Sequence, residues 1–505
     1  MPAAPPSRHH PRRMAASTWL SLALAVVLAV AAVSAFAPRA GAAPTSSDWT
    51  TFDQNAQRTG VDPSGNSFAS ATQVWTSTFD GQLYGQPLVY SGRVYAATEN
   101  DTVYALGAGT GTVLWSKHLG TPVAASALPC GNISPTVGIT GTPVIDPARS
   151  EIFVVADEAA SPIASHHLIG LNLTTGAVML DETIDPAGTD PAAQLQRVSL
   201  ALDGTNIIIG MGGNSGDCST YHGLVISAPE AGGTPTTYVV ANLPGDDQGA
   251  VWMGGAAPTI DSAGNIWVAT GNSEFHSSTD TYDDSDSVLE LNPSMQLVSS
   301  FAPSAWYSDN NSDLDLGSGA PALLPNGLVF EVGKSQTAYV LHQSNLGGVG
   351  GQVASKSNFC FSDGGSADLN GTLFVPCSNG VHAVTVTATT PSSSWTAANG
   401  NAKGSPIVAG GEVWTIGGGT LWALNPSTGA VEQSFSIGSS ASSFPSPSAA
   451  DGLILAPAGT SIHAFEGAAG PPPDAPEAPS VLLLAAAAGL VLGGAVWFRR
   501  RRGLA

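Results

Sequence analysis

The sequence predicts an all-β protein, an eight-bladed β-propeller of four-stranded antiparallel blades. Glycine (59) and proline (36) are frequent among the 505 residues, and charged residues make up only 11%. Long surface helices need more charged residues than that on their solvent face. Short runs rich in Val, Ile, Thr and Trp, each closed by a glycine turn, are instead typical of strands.

One strand–turn–strand unit recurs along the chain and sets the number of blades. Eight copies begin near residues 85, 141, 199, 256, 319, 365, 404 and 445. A repeat of about 40–50 residues, lengthened by loop insertions, is typical of propeller blades, whereas solenoid repeats are shorter or helical. Residues 71–79 are expected to supply the strand that closes the ring, because closure removes exposed sheet edges.

The amino terminus has the pattern of a secretory signal peptide. Residues 1–18 are basic, residues 19–37 form an apolar run, and Ala40-Gly41-Ala42 supplies small residues before a cleavage site. We therefore assign residues 1–42 to a signal peptide and residues 43–467 to the propeller.

The carboxyl terminus has the pattern of a membrane anchor. Residues 481–498 are apolar, long enough to span a bilayer, and the basic segment 499–505 should stay in the cytoplasm. Residues 468–480 form a proline-rich stalk. The stretch 476–479 loosely resembles a Pro-Glu-Pro sorting signal, but a plain anchor is the simpler interpretation. The propeller is then expected on the extracellular face of the membrane.

The net charge excludes one class of partner. The chain carries a formal charge of −22, and its two ends contain eight of the sixteen basic residues and none of the 38 acidic ones. Such an acidic body repels phosphate backbones, so nucleic acid is not expected as a partner. An extracellular ligand or protein remains open. Solubility through net charge is the simplest explanation of the acidity.

Four cysteines indicate two disulfides, because they are even in number and the chain is expected outside the cell. Cys360 and Cys377 flank one hairpin and are expected to pair. That leaves Cys130 to pair with Cys218. No Cys-x-x-Cys motif suggests a zinc site.

Residues 251–334 hold most of the candidate ligand groups. One acidic loop could bind calcium, but it lacks the glycine and distal glutamate of an EF-hand and also fits a solvated loop. A second acidic set fits either a site or a strand with alternating side chains. The histidines lack metal-ligand spacing. The first set is Asp280, Asp283, Asp284 and Asp286, and the second is Asp309, Asp313 and Asp315.

Several short motifs resemble the pyrroloquinoline-quinone (PQQ)-like β-propeller repeat family. They are Asp48-Trp49, Arg58-Thr59-Gly60, and the Thr-Gly turns at 173–176 and 424–429. The resemblance covers residues 48–467 and implies eight blades around a central channel. Quinoprotein alcohol dehydrogenases of this family bind PQQ and calcium in that channel.

The resemblance implies some of the residues of such a site. Asn272, in Thr270-Gly271-Asn272, matches an amide ligand to calcium, and Lys334 matches the basic residue that contacts the quinone. The catalytic aspartate of the family aligns with Asn292, which cannot act as a base. Asp217 lies one residue from the expected glutamate ligand. Asp217 and Asp313 are the candidates for a displaced acid.

The sequence therefore predicts a cell-surface PQQ-like propeller that binds a ligand or protein without catalysis. The alternative is a PQQ- and calcium-dependent alcohol dehydrogenase. No cofactor is firmly predicted, because the matches at Asn272 and Lys334 are set against the amide at Asn292.

Overall fold

The computed structural model describes residues 48–438 and 446–467. The predicted signal peptide, stalk, membrane helix and basic tail lie outside these residues. Within the two described ranges, no helix is long and apolar enough to cross a membrane.

Eight four-stranded antiparallel blades form the described fold, as the repeats predict. Blade 1 is β2 (Leu88–Tyr90), β3 (Arg93–Ala97), β4 (Thr102–Gly107) and β5 (Val113–His118). Blade 2 is β8 (Val144–Asp146), β9 (Glu151–Ala159), β10 (Ala164–Asn172) and β11 (Val178–Thr183). Blade 3 is β13 (Ala201–Asp203), β14 (Asn206–Gly213), β15 (Leu224–Pro229) and β16 (Thr236–Val239). Blade 4 is β17 (Thr259–Ile260), β18 (Ile266–Ala269), β19 (Val288–Leu291) and β20 (Leu297–Ala302).

The second half of the ring repeats the pattern. Blade 5 is β21 (Ala322–Leu323), β22 (Leu328–Val332), β23 (Ala338–His342) and β25 (Ala354–Lys356). Blade 6 is β26 (Ala367–Leu369), β27 (Thr372–Val375), β28 (His382–Val386) and β29 (Pro391–Thr396). Blade 7 is β30 (Ile407–Ala409), β31 (Glu412–Gly417), β32 (Thr420–Leu424) and β33 (Val431–Ser436). Blade 8 is β34 (Ser448–Ala450), β35 (Leu453–Ala458), β36 (Ser461–Glu466) and β1 (Thr72–Thr78).

Shorter elements lie between the blades. The strands β6 (Val123–Ala124) and β7 (Thr136–Val137) pair with each other, β12 (Gln194–Leu195) pairs with β14, and β24 (Gly348–Val349) runs parallel to β20. The helix α1 spans Trp306–Asn310. Single 3-10 turns lie at Ala125–Ala127, Pro191–Ala193, Met253–Gly255 and Leu316–Ser318.

Strand β1 closes the ring. It pairs antiparallel with β36, so the beginning of the propeller supplies the fourth strand of a blade made by its end. This confirms the closing strand predicted at residues 71–79, and it pairs the edge of β36 that would otherwise be exposed.

A tryptophan in the fourth strand of one blade packs on a glycine of the next blade. The Trp115 indole donates a hydrogen bond from Nε1 to the carbonyl of Leu173 (3.0 Å). Gly176 has a φ of +69°, and a Cβ there would lie 2.6 Å from the indole. Only glycine meets both conditions without strain, which explains the recurring Thr-Gly turn. The three pairs are Trp75 with Gly111, Trp115 with Gly176, and Trp395 with Gly429.

Residues 49–62, here called the channel segment, cross the centre of the ring. The first strands of successive blades contact one another and form its inner wall. The channel segment forms backbone hydrogen bonds with five of these strands, at Val89, Ile145, Ile260, Asp368 and Val408. It therefore joins blades that are not neighbours in sequence.

Two disulfides are present, and their pairing is the predicted one. Cys130 bonds to Cys218 and Cys360 bonds to Cys377. The first joins the β6–β7 segment to blade 3, and the second holds the β25–β26 connection against blade 6.

Candidate functional site

The loops at one end of the propeller carry the candidate site. In each blade, the turn between the second and third strands and the connection to the next blade emerge at the same end, because neighbouring strands are antiparallel. Asn272 follows β18, and Lys334 follows β22, both in second-to-third-strand turns. Asp313 lies in the connection from blade 4 to blade 5. Residues far apart in sequence therefore converge at this end.

A cavity of about 610 Å³ opens among these loops. That volume is in the range of small-molecule sites, about 300–1,000 Å³. Four of its side chains are acidic and two are basic. The lining residues are Asn132, Arg197, Ser215, Gly216, Asp217, Trp252, Asp313, Asp315, Ser318, Lys334 and Asp363.

Lys334 forms a double ion pair in the wall of this cavity. Its ammonium lies 2.6 Å from Asp313 Oδ1 and also contacts Asp315 Oδ2. The Asp315 side chain is 8% exposed, whereas that of Asp313 is 79% exposed. Burial alone would lower the pKa of Lys334, but the charges of Asp315 and Asp313 raise it above its usual value. The lysine is therefore a fixed cation.

Asn272 shares both carboxylates with the lysine. Its backbone N–H donates to Asp315 Oδ1 (2.7 Å), and its amide nitrogen donates to Asp313 Oδ1 (3.2 Å). The preceding Gly271 permits this approach, since a Cβ there would lie 2.5 Å from Asp315 Oδ1. The amide oxygen of Asn272 is enclosed and has no hydrogen-bond partner in the described structure. An enclosed acceptor of this kind is unfavourable unless a ligand or ion satisfies it.

Asp217 lines the cavity from blade 3. Tyr221 donates its hydroxyl hydrogen to Asp217 Oδ1 (2.7 Å). Burial raises the pKa of Asp217, and Asp315 and Asp313 add to the effect. The Cys130–Cys218 disulfide holds this loop beside the loop that carries Asn132, so it fixes two parts of the lining.

Arg197, Trp252 and Asp363 complete the lining. The guanidinium carbon of Arg197 lies 5.4 Å from the centre of the Trp252 ring, a cation–π contact. Burial lowers the pKa of Arg197 to about 10. Burial also raises the pKa of Asp363 to about 7, and the positive charges of Arg197 and Lys334 reduce this increase. The indole face inside the cavity therefore has a cation over it.

Asn292 lies at the opposite end of blade 4. Leu291 pairs with Ile266, whereas Val288 pairs with Ala269, just before Asn272. Asn292 and Asn272 therefore follow opposite ends of this strand pair. Asn292 caps the turn between β19 and β20, where its Oδ1 accepts N–H bonds from Ser294 and Gln296. It is not among the residues that converge on the cavity.

The structure brings Asp217, Asn272, Asp313 and Lys334 together and adds Asp315, which the sequence indicated only as a member of the second acidic set. A signal for it existed, because Asp313 and Asp315 are two residues apart and side chains at that spacing can point the same way in extended chain. Arg197, Trp252 and Asp363 had no such signal. They come from three different connections between blades.

The donor set fits calcium better than it fits PQQ. Calcium prefers carboxylate and amide oxygens, and Asp217, Asn272 and Asp315 offer them, including the unpartnered amide oxygen. PQQ is a planar acid. It would meet a lining with more carboxylates than cations and an indole with Arg197 over it. The lining therefore suits a cation more than an anionic quinone.

One family model matches part of the chain. A family model described as outer membrane protein assembly factor BamB matches residues 66–214. No curated protein matches the chain.

Solved structures resemble the whole propeller at low identity. A quinohemoprotein alcohol dehydrogenase from Comamonas testosteroni is 15% identical with a TM-score of 0.64, covering 86% of this chain and 83% of its own. A europium-containing methanol dehydrogenase is 13% identical with a TM-score of 0.60, covering 84% and 98%. BamB from Moraxella catarrhalis is 14% identical with a TM-score of 0.50, covering 78% and 97%. Dehydrogenases and BamB share this fold, so the resemblance to PQQ-like β-propellers is confirmed at the level of the fold.

Proposed function

We propose that the protein is a binding module without redox chemistry of its own, whose cavity takes a small polar ligand bearing positive charge. The observation that carries this proposal is the cavity of about 610 Å³ with four aspartates and two basic residues in its lining. A lining with excess negative charge attracts cations and repels anions. Asn132, Ser215 and Ser318 add neutral hydrogen-bonding groups for the rest of the ligand.

Calcium is the simplest probe of this proposal, and the polyamine spermidine is an organic one. Each is titrated separately into the full-length protein by calorimetry. We expect saturable binding of at least one of them, weakened at least tenfold in Asp315→Asn, because that change removes a carboxylate charge from the wall. Glu432→Gln, on the outer strand β33, is the matched control and should bind as the wild type does. No binding of either probe would refute the proposal.

One observation favours the alternative of a PQQ- and calcium-dependent alcohol dehydrogenase. Asp315 lies between Asn272 and Lys334, where a carboxylate could accept a proton from a bound alcohol. PQQ would supply the two-electron oxidant and calcium the Lewis acid. The contact with Lys334 holds Asp315 in place, and the guanidinium of Arg197 already covers one face of the Trp252 ring.

An uptake assay separates the two functions. The full-length protein is incubated with PQQ and calcium, and reduction of a dye is followed after an alcohol is added. We expect no PQQ retained after gel filtration and no dye reduction. Retention of PQQ together with alcohol-dependent dye reduction would establish the dehydrogenase and overturn the non-redox proposal.

We also propose that the module is displayed outside the cell on a carboxyl-terminal anchor. The hydrophobic segment 481–498 and its following arginines support this, and two disulfides suit an oxidising compartment. Protease treatment of intact cells should remove the propeller from the cell surface. Full protection in intact cells, lost on lysis, would refute the proposal.

A further inference from the structure

A second cluster of ligand groups lies at the same end of the propeller but outside the cavity lining. Asp246 comes from the connection between blades 3 and 4, and His276 and Asp283 come from the loop between β18 and β19. One ligand atom from each of the three lies within 4.8 Å of the other two. Three such atoms can bind a single metal ion.

The geometry of the two buried members is that of a preformed site. His276 Nε2 lies 3.2 Å from Asp283 Oδ2, and both residues are 4% exposed. The other oxygen of Asp283 is occupied, because it accepts bonds from the Ser285 N–H (3.1 Å) and hydroxyl (2.6 Å). Oδ2 is the remaining oxygen, and its hydrogen-bond partner is the Nε2 of the imidazole.

Asp246 supplies an independent sign that a ligand is missing. Its Oδ2 is enclosed and has no hydrogen-bond partner in the described structure. An enclosed carboxylate oxygen next to a second carboxylate costs free energy unless a cation lies between them.

The surroundings resemble the outer shell of a histidine–metal site. Asp280 Oδ2 lies 3.7 Å from His276 Nδ1, on the ring side away from Asp283. Asp280 is itself fixed by the N–H (2.7 Å) and hydroxyl (2.9 Å) of Ser277. The imidazole also packs on the Trp306 ring, with centroids 4.9 Å apart. Metal-binding histidines commonly have a carboxylate at the second nitrogen, which orients the ring.

We propose that Asp246, His276 and Asp283 bind a divalent transition-metal ion, with Zn²⁺ as the representative. One imidazole nitrogen and two carboxylate oxygens are a mixed set that zinc and its neighbours accept, whereas calcium prefers oxygen alone. The ion joins two separate loops. Gly249 donates its N–H to the carbonyl of Asn272 (2.7 Å), so the same loops also reach the cavity wall.

Zinc titration of the chelator-treated full-length protein tests the proposal. We expect one equivalent of zinc to bind, with affinity lowered at least about tenfold in Asp246→Asn, since even an outer-shell change costs 10–100-fold. Asp247→Asn is the matched control, because it removes the same charge from the neighbouring residue without removing a ligand. It should bind zinc as the wild type does. Asp280→Asn should weaken zinc binding while leaving its stoichiometry unchanged.

Three results would overturn the proposal: no saturable zinc binding, an unchanged affinity in Asp246→Asn, or an equal loss in Asp247→Asn. The last would mean that general negative charge attracts the ion. Equal melting temperatures of the zinc-free variants show that folding is intact. Bound Co²⁺ gives a second readout, since its visible absorption reports nitrogen and oxygen ligands and should disappear in His276→Gln.

Discussion

The ammonium of Lys334 contacts the carboxylate of Asp315 in the cavity wall, and Asp315 is the more buried of the two. The pair joins blade 5 to the connection that precedes it. The same carboxylate accepts the backbone N–H of Asn272 from blade 4. One carboxylate thus holds two blades in register at the candidate site.

Replacing Lys334 by methionine should destabilise the propeller. Asp315 would lose its cation while remaining buried, and leaving a buried charged group without its partner costs about 1–3 kcal/mol or more. Urea unfolding measures the change. Lys403→Met, at an exposed position, is the control and should stay within about 0.5 kcal/mol of the wild type. Equal stability of the two variants would contradict the role of the pair.

Gly176→Ala should also destabilise the protein. The new Cβ would lie 2.6 Å from the Trp115 indole, and the φ of +69° is unfavourable for alanine. We expect a loss of about 1–3 kcal/mol from overpacking, in addition to the backbone strain.

Gly204→Ala separates the two causes of that loss. Gly204 has a φ of +59°, and no atom lies within 4 Å of the place that an alanine methyl would take, so it carries the strain without the clash. Thermal unfolding should show a smaller loss for Gly204→Ala than for Gly176→Ala. Equal losses would mean that the indole does not restrict this position.

The two disulfides should differ in how much they stabilise the folded protein. Cys130 and Cys218 are 88 residues apart, and Cys360 and Cys377 are 17 apart. The chain-entropy relation gives about 4.6 and about 3.1 kcal/mol for loops of these lengths. Replacing Cys130 and Cys218 by serine should therefore lower the unfolding free energy more. It should also weaken ligand binding, because this bond fixes two loops of the cavity. Unchanged binding would show that those loops hold their positions without it.

Stability should decrease as the pH rises from about 5 to about 9. Burial raises the pKa of Glu99 and Asp157 to about 7 and that of Asp101 to about 9. Each folded-state pKa lies above the unfolded value of about 4. The folded state then binds more protons between those values, so the contribution is complete below about pH 4 and is lost as the pH passes through 7 to 9.

Asp101→Asn tests this pH dependence. The variant should be more stable than the wild type at about pH 9. Its unfolding free energy, measured by urea unfolding at each pH, should also change less with pH. Asp80→Asn is the control of opposite sign. Hydrogen bonds from Thr102, Asn100 and Thr98 outweigh its burial and lower the pKa of Asp80, so that variant should lose stability above about pH 4. If the unfolding free energies of Asp101→Asn and the wild type changed equally with pH, the raised pKa of Asp101 would not be a source of this pH dependence.

The sequence predicts the fold well because each blade repeats the same short-range pattern. The strands, the closing strand and both disulfides followed from periodicity and spacing. Half of the candidate site did not follow from periodicity or spacing. Arg197, Trp252 and Asp363 lie in connections of different blades, and only the closed ring brings them together.

Two further features depend on register and on loop geometry. The resemblance to the PQQ-like family aligned Asn292 with the catalytic position, but the pairing of Leu291 with Ile266 puts Asn292 at the other end of blade 4. His276 has no ligand spacing with Asp246, because the two are 30 positions apart and strands β17 and β18 lie between them. Folding, not sequence proximity, puts their side chains together.

The pairing of β1 with β36 has a consequence for how the chain is made. Of the described strands, the ribosome releases β1 first and β36 last, so β1 has no partner until synthesis is nearly complete. During that interval its two edges are open to other chains, and long-range pairing of this kind is slow. A circular permutant that begins after β1 and carries β1 behind β36 should remove the delay, and its nascent chain should aggregate less.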